Sequence, residues 1–198
     1  MMIRERMSVH PCGKKDLLDL FGDYRRLSRR LAKLAKRGKL RCVGTAQLKE
    51  DGGRPENVYF IGQVRTDWLD HELRITRVVR AAGWPDMLRL YDVPKVKGVY
   101  DGKEVDVRPD GQFAEMGRLL EMDCGTEPQV EIEKKAVVLG ATGKAIMWVT
   151  LSEARMKKLK AWTEAAPLSL FALYQDLLDK PGGEVWTDHA GSKVATKL

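Results

Sequence analysis

Between Tyr24 and Arg37 the chain carries seven cations and no acid, threaded between leucines at helical spacing. Leu27, Leu31 and Leu34 fall on one stripe, with Ala32 and Ala35 close by. Arg26, Arg29, Arg30, Lys33, Lys36 and Arg37 fall on the opposite face. Asp23 is a good N-cap for this segment, and Gly38 is a natural end. One side of such a helix suits a core, and the other suits phosphate.

The charge of the chain is concentrated there. Residues 14–41 hold eleven Lys/Arg against three Asp, a net +8, whereas all 198 residues sum to +7, leaving −1 for the remainder. A folded block of that kind attracts a polyanion with an affinity that falls steeply with salt. The alternative is a solvated basic helix with no partner. No run of apolar residues is long enough to cross a membrane. The opening MMIRERMSVH has charges but no apolar centre, so it does not read as a secretory signal. Cys12, Cys42 and Cys124 lie far apart, which suits reduced thiols in a cytoplasm and argues against structural zinc.

Around the basic helix, Lys14–Phe21 reads as a shorter helix and Leu40–Val43 as a strand. The turn residues Asp51-Gly52-Gly53-Arg54-Pro55 lead into a second strand, Val58–Ile61. The stretch "RRLAKLAKRGKLRCV…GGRPENVYFIG" resembles the recognition helix and wing of winged-helix proteins. The resemblance implies that Arg25, Arg26, Ser28, Arg29 and Lys33 face the major groove of double-stranded DNA and that Arg54 sits on the wing. Arg30, Lys36 and Arg37 complete the expected DNA-binding set. The first helix of such a domain would have to come from Met2–Val9.

Gly62–Asp67 reads as a linker, and Asp67 as the cap of a helix from Trp68 to about Ala82, ended by Gly83-Trp84-Pro85. Further on, the pattern predicts a strand over Met87–Val93. A hairpin Lys97–Tyr100/Lys103–Val107 follows, closed on Asp101-Gly102. Next come a strand Arg118–Met122, a helix Glu127–Leu139 and a fully apolar strand Ala145–Thr150. Ser152 caps a helix to about Ala165, and Pro167 opens a last helix to Asp179. Pro181–Leu198 reads as a loose tail. The expected domains are 1–61, 62–180 and that tail, and the expected class is α+β with a small α/β core in the second domain.

Asp110 follows one strand, and Glu121 and Asp123 end the next, where carboxylates can gather around a hard divalent cation such as magnesium or manganese. "His71-Glu-Leu", "Arg108-Pro-Asp-Gly" and "Leu120-Glu-Met-Asp-Cys-Gly-Thr-Glu", followed by a lysine-bearing helix, resemble the replication-relaxation family. That family joins a winged helix to a restriction-endonuclease-like core of PD-(D/E)xK type in proteins of plasmids, phages and integrative elements. The resemblance implies sequence-directed DNA binding in replication, maintenance, transfer or regulation of a mobile element, and admits a replication or transfer protein, or a second copy, as partner.

The nuclease signature has Glu-x-Lys where this strand reads Glu121-Met-Asp123. A nuclease would therefore use Asp110, Glu121 and Asp123 for metal and borrow Lys134 or Lys135 from the next helix. Without that loan, no catalytic set and no cofactor is expected. Structural roles compete at each position: Asp110 as a turn residue, Asp123 as a helix cap, and Glu121 as an ion-pair partner of Lys134 or Lys135.

Overall fold

A computed structural model describes residues 11–20, 22–61, 66–83, 88–89, 93–113 and 117–195. The candidate first helix Met2–Val9, linker residues 62–65, the Trp84-Pro85 terminator and most of the strand expected at 87–93 lie outside them. The described chain is a mixed α+β protein with five α-helices and three sheets. It divides into two compact units, 1–77 and 78–198.

The first unit opens with strand β1 (Cys12–Gly13), a 3₁₀ segment (Lys15–Leu20) and helix α1 (Tyr24–Lys36). Strands β2 (Arg41–Ala46) and β3 (Glu56–Phe60) follow, making an antiparallel sheet in the order β1-β3-β2. Leu27 and Leu31 of α1 pack with Leu17, Leu40, Cys12 and Tyr59, so the leucine stripe is the half of the helix that the core consumes. The register of β2 against β3 slips between Cys42 and Gly44, where a Cβ would collide with Leu69. That close approach is open only to glycine.

Helix α2 (Leu69–Ala81) contributes its residues through Arg77 to this unit, placing the division sixteen residues beyond the expected boundary at 61. The reason is chemical. Leu69 and Leu73 join Ala46, Leu48 and Val58 in a second small core. Arg77 is buried between Asp16 (2.9 Å) and Glu56 (2.7 Å), and Arg74 pairs with Glu50. Buried cations need such partners to offset lost hydration.

The second unit is built on a five-stranded sheet in the order β10-β9-β8-β7-β4. Its strands are β4 (Leu88–Arg89), β7 (Gly111–Phe113), β8 (Arg118–Asp123), β9 (Ala145–Thr150) and β10 (Leu170–Leu173). β8, β9 and β10 run parallel, and helices α3 (Gln129–Gly140) and α4 (Glu153–Trp162) supply the crossovers that parallel neighbours require. The apolar run of β9 is buried from Ile146 to Thr150, as expected for a central strand covered on both faces. Ile132, Ala136 and Leu139 of α3 and Leu159 of α4 pack onto it with Trp148 and Phe171. A separate hairpin, β5 (Val96–Tyr100) and β6 (Lys103–Val107), turns on Asp101 and Gly102, both at positive φ.

Two expectations fail at the carboxy terminus. Pro167 does not open a helix: Leu170–Leu173 pairs with β9 as β10, and only Tyr174–Asp179 is helical, as α5. A short apolar run has no periodicity to separate strand from helix, and the open edge of β9 decides it. The segment expected to be a loose tail is also engaged. Trp186 is buried, and Thr187 exchanges two backbone hydrogen bonds with Phe171 (2.8 and 2.9 Å), covering the edge of β10. No helix among the described residues is long and apolar enough to cross a membrane.

Candidate functional site

Helix α1 begins and ends on the residues that its sequence names. Asp23 Oδ1 accepts from the Arg25 amide at 2.8 Å. At the other end Gly38 has φ of 63°, its amide reaches the Ala35 carbonyl at 2.9 Å, and the Lys39 amide reaches the Leu34 carbonyl at 3.0 Å. This pair of bonds satisfies carbonyls that the helix itself leaves open. Lys33 and Lys36 in the last turn oppose the negative end of the helix dipole.

Between those caps the seven cations Arg25, Arg26, Arg29, Arg30, Lys33, Lys36 and Arg37 are all exposed. None of their side chains joins an ion pair or hydrogen bond among the described residues. Ala32, expected near the leucine stripe, is exposed among them, and Ser28 is half-buried. Tyr24, Arg25, Ser28 and Arg29 line an open depression of about 480 Å³, and Lys14 lies over the Tyr24 ring at 5.3 Å. Arg54 is exposed in the connection between β2 and β3.

Like charges sit four residues apart at Arg25/Arg29, Arg26/Arg30, Arg29/Lys33 and Lys33/Arg37. Each such pair destabilises a helix by roughly 0.2–0.5 kcal/mol. No acid on α1 offsets this. The helix is thus held by its leucines and caps while its outer face remains uncompensated.

The acidic residues of the second unit have the opposite character. Glu121 and Asp123 alternate along β8 and so share a face of the sheet, and Asp110 immediately precedes β7, whose Gly111 pairs with Leu120. All three are at least 96% removed from solvent, at 4%, 1% and 2% exposure. Each is already engaged. Asp110 accepts from the Met122 amide at 2.8 Å. Asp123 takes a two-pronged contact from Arg155, Nε at 2.5 Å and Nη2 at 3.1 Å, and accepts from the Gly125 amide. The helix that follows starts at Gln129 after Pro128, so Asp123 closes a turn rather than capping α3.

Glu121 meets Lys135 at 2.8 Å, and Lys135 also reaches Glu127. Lys134, the lysine expected to be borrowed, instead pairs with Glu131 on its own helix. Burial pushes the Glu121 carboxyl from its ordinary 4.5 up to about 8, Lys135 working against the rise and Asp110 adding to it. Burial acts to lower Lys135, but Glu121, Asp110 and Glu127 together raise it. Lys135 stays the charged member, and Glu121 is the group whose ionisation the site resists. Its Oε1 has no hydrogen-bond partner among the described residues.

Among the described residues, no three His, Cys, Asp or Glu side chains are arranged to hold a metal ion. A backbone amide engages Asp110, Arg155 takes both oxygens of Asp123, and Lys135 takes Glu121 Oε2, which leaves Glu121 Oε1 without a partner among the described residues. His71 lies edge-on against Trp68 at 5.5 Å in the other unit. Arg155 has no local sequence signal. It comes to Asp123 because β9 runs parallel to β8 with Thr150 beside Asp123, and α4 begins three residues later. No family model, curated protein or solved structure matches this chain.

Proposed function

We propose that this chain is a sequence-directed double-stranded DNA-binding protein, with α1 as the helix that enters the major groove and the β2–β3 hairpin as a wing. The observation that carries the reading is the set of seven solvent-facing cations on one capped helix, unpaired among the described residues. In the same unit Arg74 and Arg77 are buried on carboxylates. A helix that only needed solubility would interleave acids at four-residue spacing and gain stability from them. This one bears repulsion that a polyanion would relieve. The order of β1, 3₁₀ segment, α1 and hairpin, with sheet order β1-β3-β2, supports the assignment of α1 and the hairpin to those two roles, groove helix and wing.

The process served, in replication, maintenance, transfer or regulation of a mobile element, follows from the resemblance of the His71, Arg108–Gly111 and Leu120–Glu127 motifs to the replication-relaxation family. A mixed sheet with Asp110 before β7 and Glu121 within β8 fits the nuclease-like core of that family. The test is duplex binding titrated across salt. Affinity should fall with a log–log slope of about −0.9 per phosphate contact. A flat salt response, or no binding to any duplex, would overturn the reading.

One observation favours a second reading, a metal-dependent endonuclease: Lys135 sits on Glu121, where a migrated catalytic lysine would belong. Against it stands Arg155, which occupies both oxygens of Asp123. We expect no nicking of supercoiled plasmid with manganese. Nicking that disappears in an Asp110→Ala/Glu121→Ala variant would promote the endonuclease.

A further inference from the structure

At about 100° per residue, the fully buried Leu27 and Leu31 set the inward direction of α1. Arg25, Arg29, Lys33 and Lys36 then lie within about 40° of the opposite direction, and Ala32 stands about 60° from it on the Arg25 side. Arg26, Arg30 and Arg37 fall together on one flank. Beside the outward line stands Ala32, exposed and carrying only a methyl group, so a partner can approach the helix backbone on that side more closely than along the flank of long cations.

Arg25 and Arg29 are the two arginines on that outward line, and both line the open depression with Tyr24 and Ser28. Neither guanidinium is tied to an acid among the described residues, so both forks remain available to a ligand. An arginine fork matches the O6 and N7 acceptors of guanine in the major groove. The spacing matches as well: four residues of helix rise about 6 Å, and two base steps span about 6.8 Å at roughly 3.4 Å each.

We infer that Arg25 and Arg29 read two guanines separated by one base pair, while Arg26, Arg30 and Arg37 hold phosphates along one wall of the groove. Ala32 allows the depth of entry. This rests on the DNA-binding reading and adds to it the base class and the residues that set specificity.

The experiment selects bound fragments from random-sequence duplex with the full chain, then with Arg25→Ala, Arg29→Ala and Arg30→Ala. All three positions are exposed, and a thermal transition confirms that each variant is folded. The wild type should select guanines two steps apart. Arg25→Ala and Arg29→Ala should each erase the preference at one of those guanines and weaken the best site about ten- to a hundredfold. Arg30→Ala should weaken all sequences alike and make the salt slope shallower by about one. Selected guanines that survive both single variants would overturn the inference and leave DNA binding standing. So would a site without paired guanines, or salt-dependent binding with no base preference. Absence of duplex binding by the wild type would overturn the inference together with the reading beneath it.

Discussion

Helix α1 and the end of strand β8 are both crowded with charge, and they treat it in opposite ways. On α1 seven cations face solvent with no acid among them. At β8 three buried carboxylates are met by Lys135, Arg155 and backbone amides. A charge taken out of water must find its counter-charge inside the fold, because an unpaired buried ion costs several kcal/mol. A charge left in water carries no such requirement. Charge density alone therefore does not mark a binding surface, and DNA binding is proposed instead from charge that is left uncompensated on a capped helix.

The largest effect expected from this contrast is on α1. An Arg29→Glu/Lys33→Glu variant should lose duplex binding by roughly a hundredfold or more, since it removes two phosphate or base contacts and adds two repulsions. Its stability should fall by no more than about 0.5 kcal/mol, as for other surface substitutions, and can rise where Arg25/Arg29 and Lys33/Arg37 repulsions become attractions. Electrophoretic shift assays beside a denaturant melt measure both. Unchanged affinity in the folded variant would take α1 off the DNA.

Removal of one cation at β8 should do the reverse. Arg155→Ala leaves Asp123 buried without its partner, a loss of about 3–5 kcal/mol in unfolding free energy, while duplex binding by the protein that remains folded is unaltered. A variant that keeps its stability and loses DNA would exchange the roles of the two regions.

A smaller effect, and one that depends on pH, belongs to Glu121. Its carboxyl is raised in the folded chain, so its contribution is complete below the ordinary value of 4.5 and is lost as pH rises through about 8. Stability should fall across that window by a few kcal/mol at most, since a tenfold change in proton affinity is worth about 1.4 kcal/mol. Glu121→Gln should flatten the dependence. Denaturant melts between those two pH values would show it, and an equal slope in the variant would assign the dependence elsewhere. The smallest effect is at the helix cap, where Asp23→Ala should cost about 1 kcal/mol and weaken DNA binding only through fraying of the first turn that carries Arg25.

The first region was largely legible in the sequence. The caps Asp23 and Gly38, the buried leucines and the solvent-facing cations of α1 all follow from local chemistry and a 3.6-residue repeat, and the structure places each where that repeat puts it. Ala32, expected close to the leucine stripe, is exposed, as the same repeat places it well away from Leu27 and Leu31. The second region was legible only as a set of residues. Asp110, Glu121 and Asp123 stand out in the sequence, but their partners do not. Lys135 rather than Lys134 meets Glu121, and Arg155 reaches Asp123 from thirty-two positions away.

The sequence by itself determined where α1 starts and stops, which face it buries and that its other face carries an uncompensated positive charge. Those properties depend on neighbours within a turn or two of helix. Tertiary structure alone decided that Leu170–Leu173 is a strand, that Trp186 and Thr187 cover its edge, and that α2 lends Arg74 and Arg77 to the first unit. It also decided that each acid of β8 meets a counter-charge or an amide. These outcomes depend on which strand lies beside which, and sheet neighbours are chosen by burial and by open strand edges across the whole chain, which no local window of residues contains.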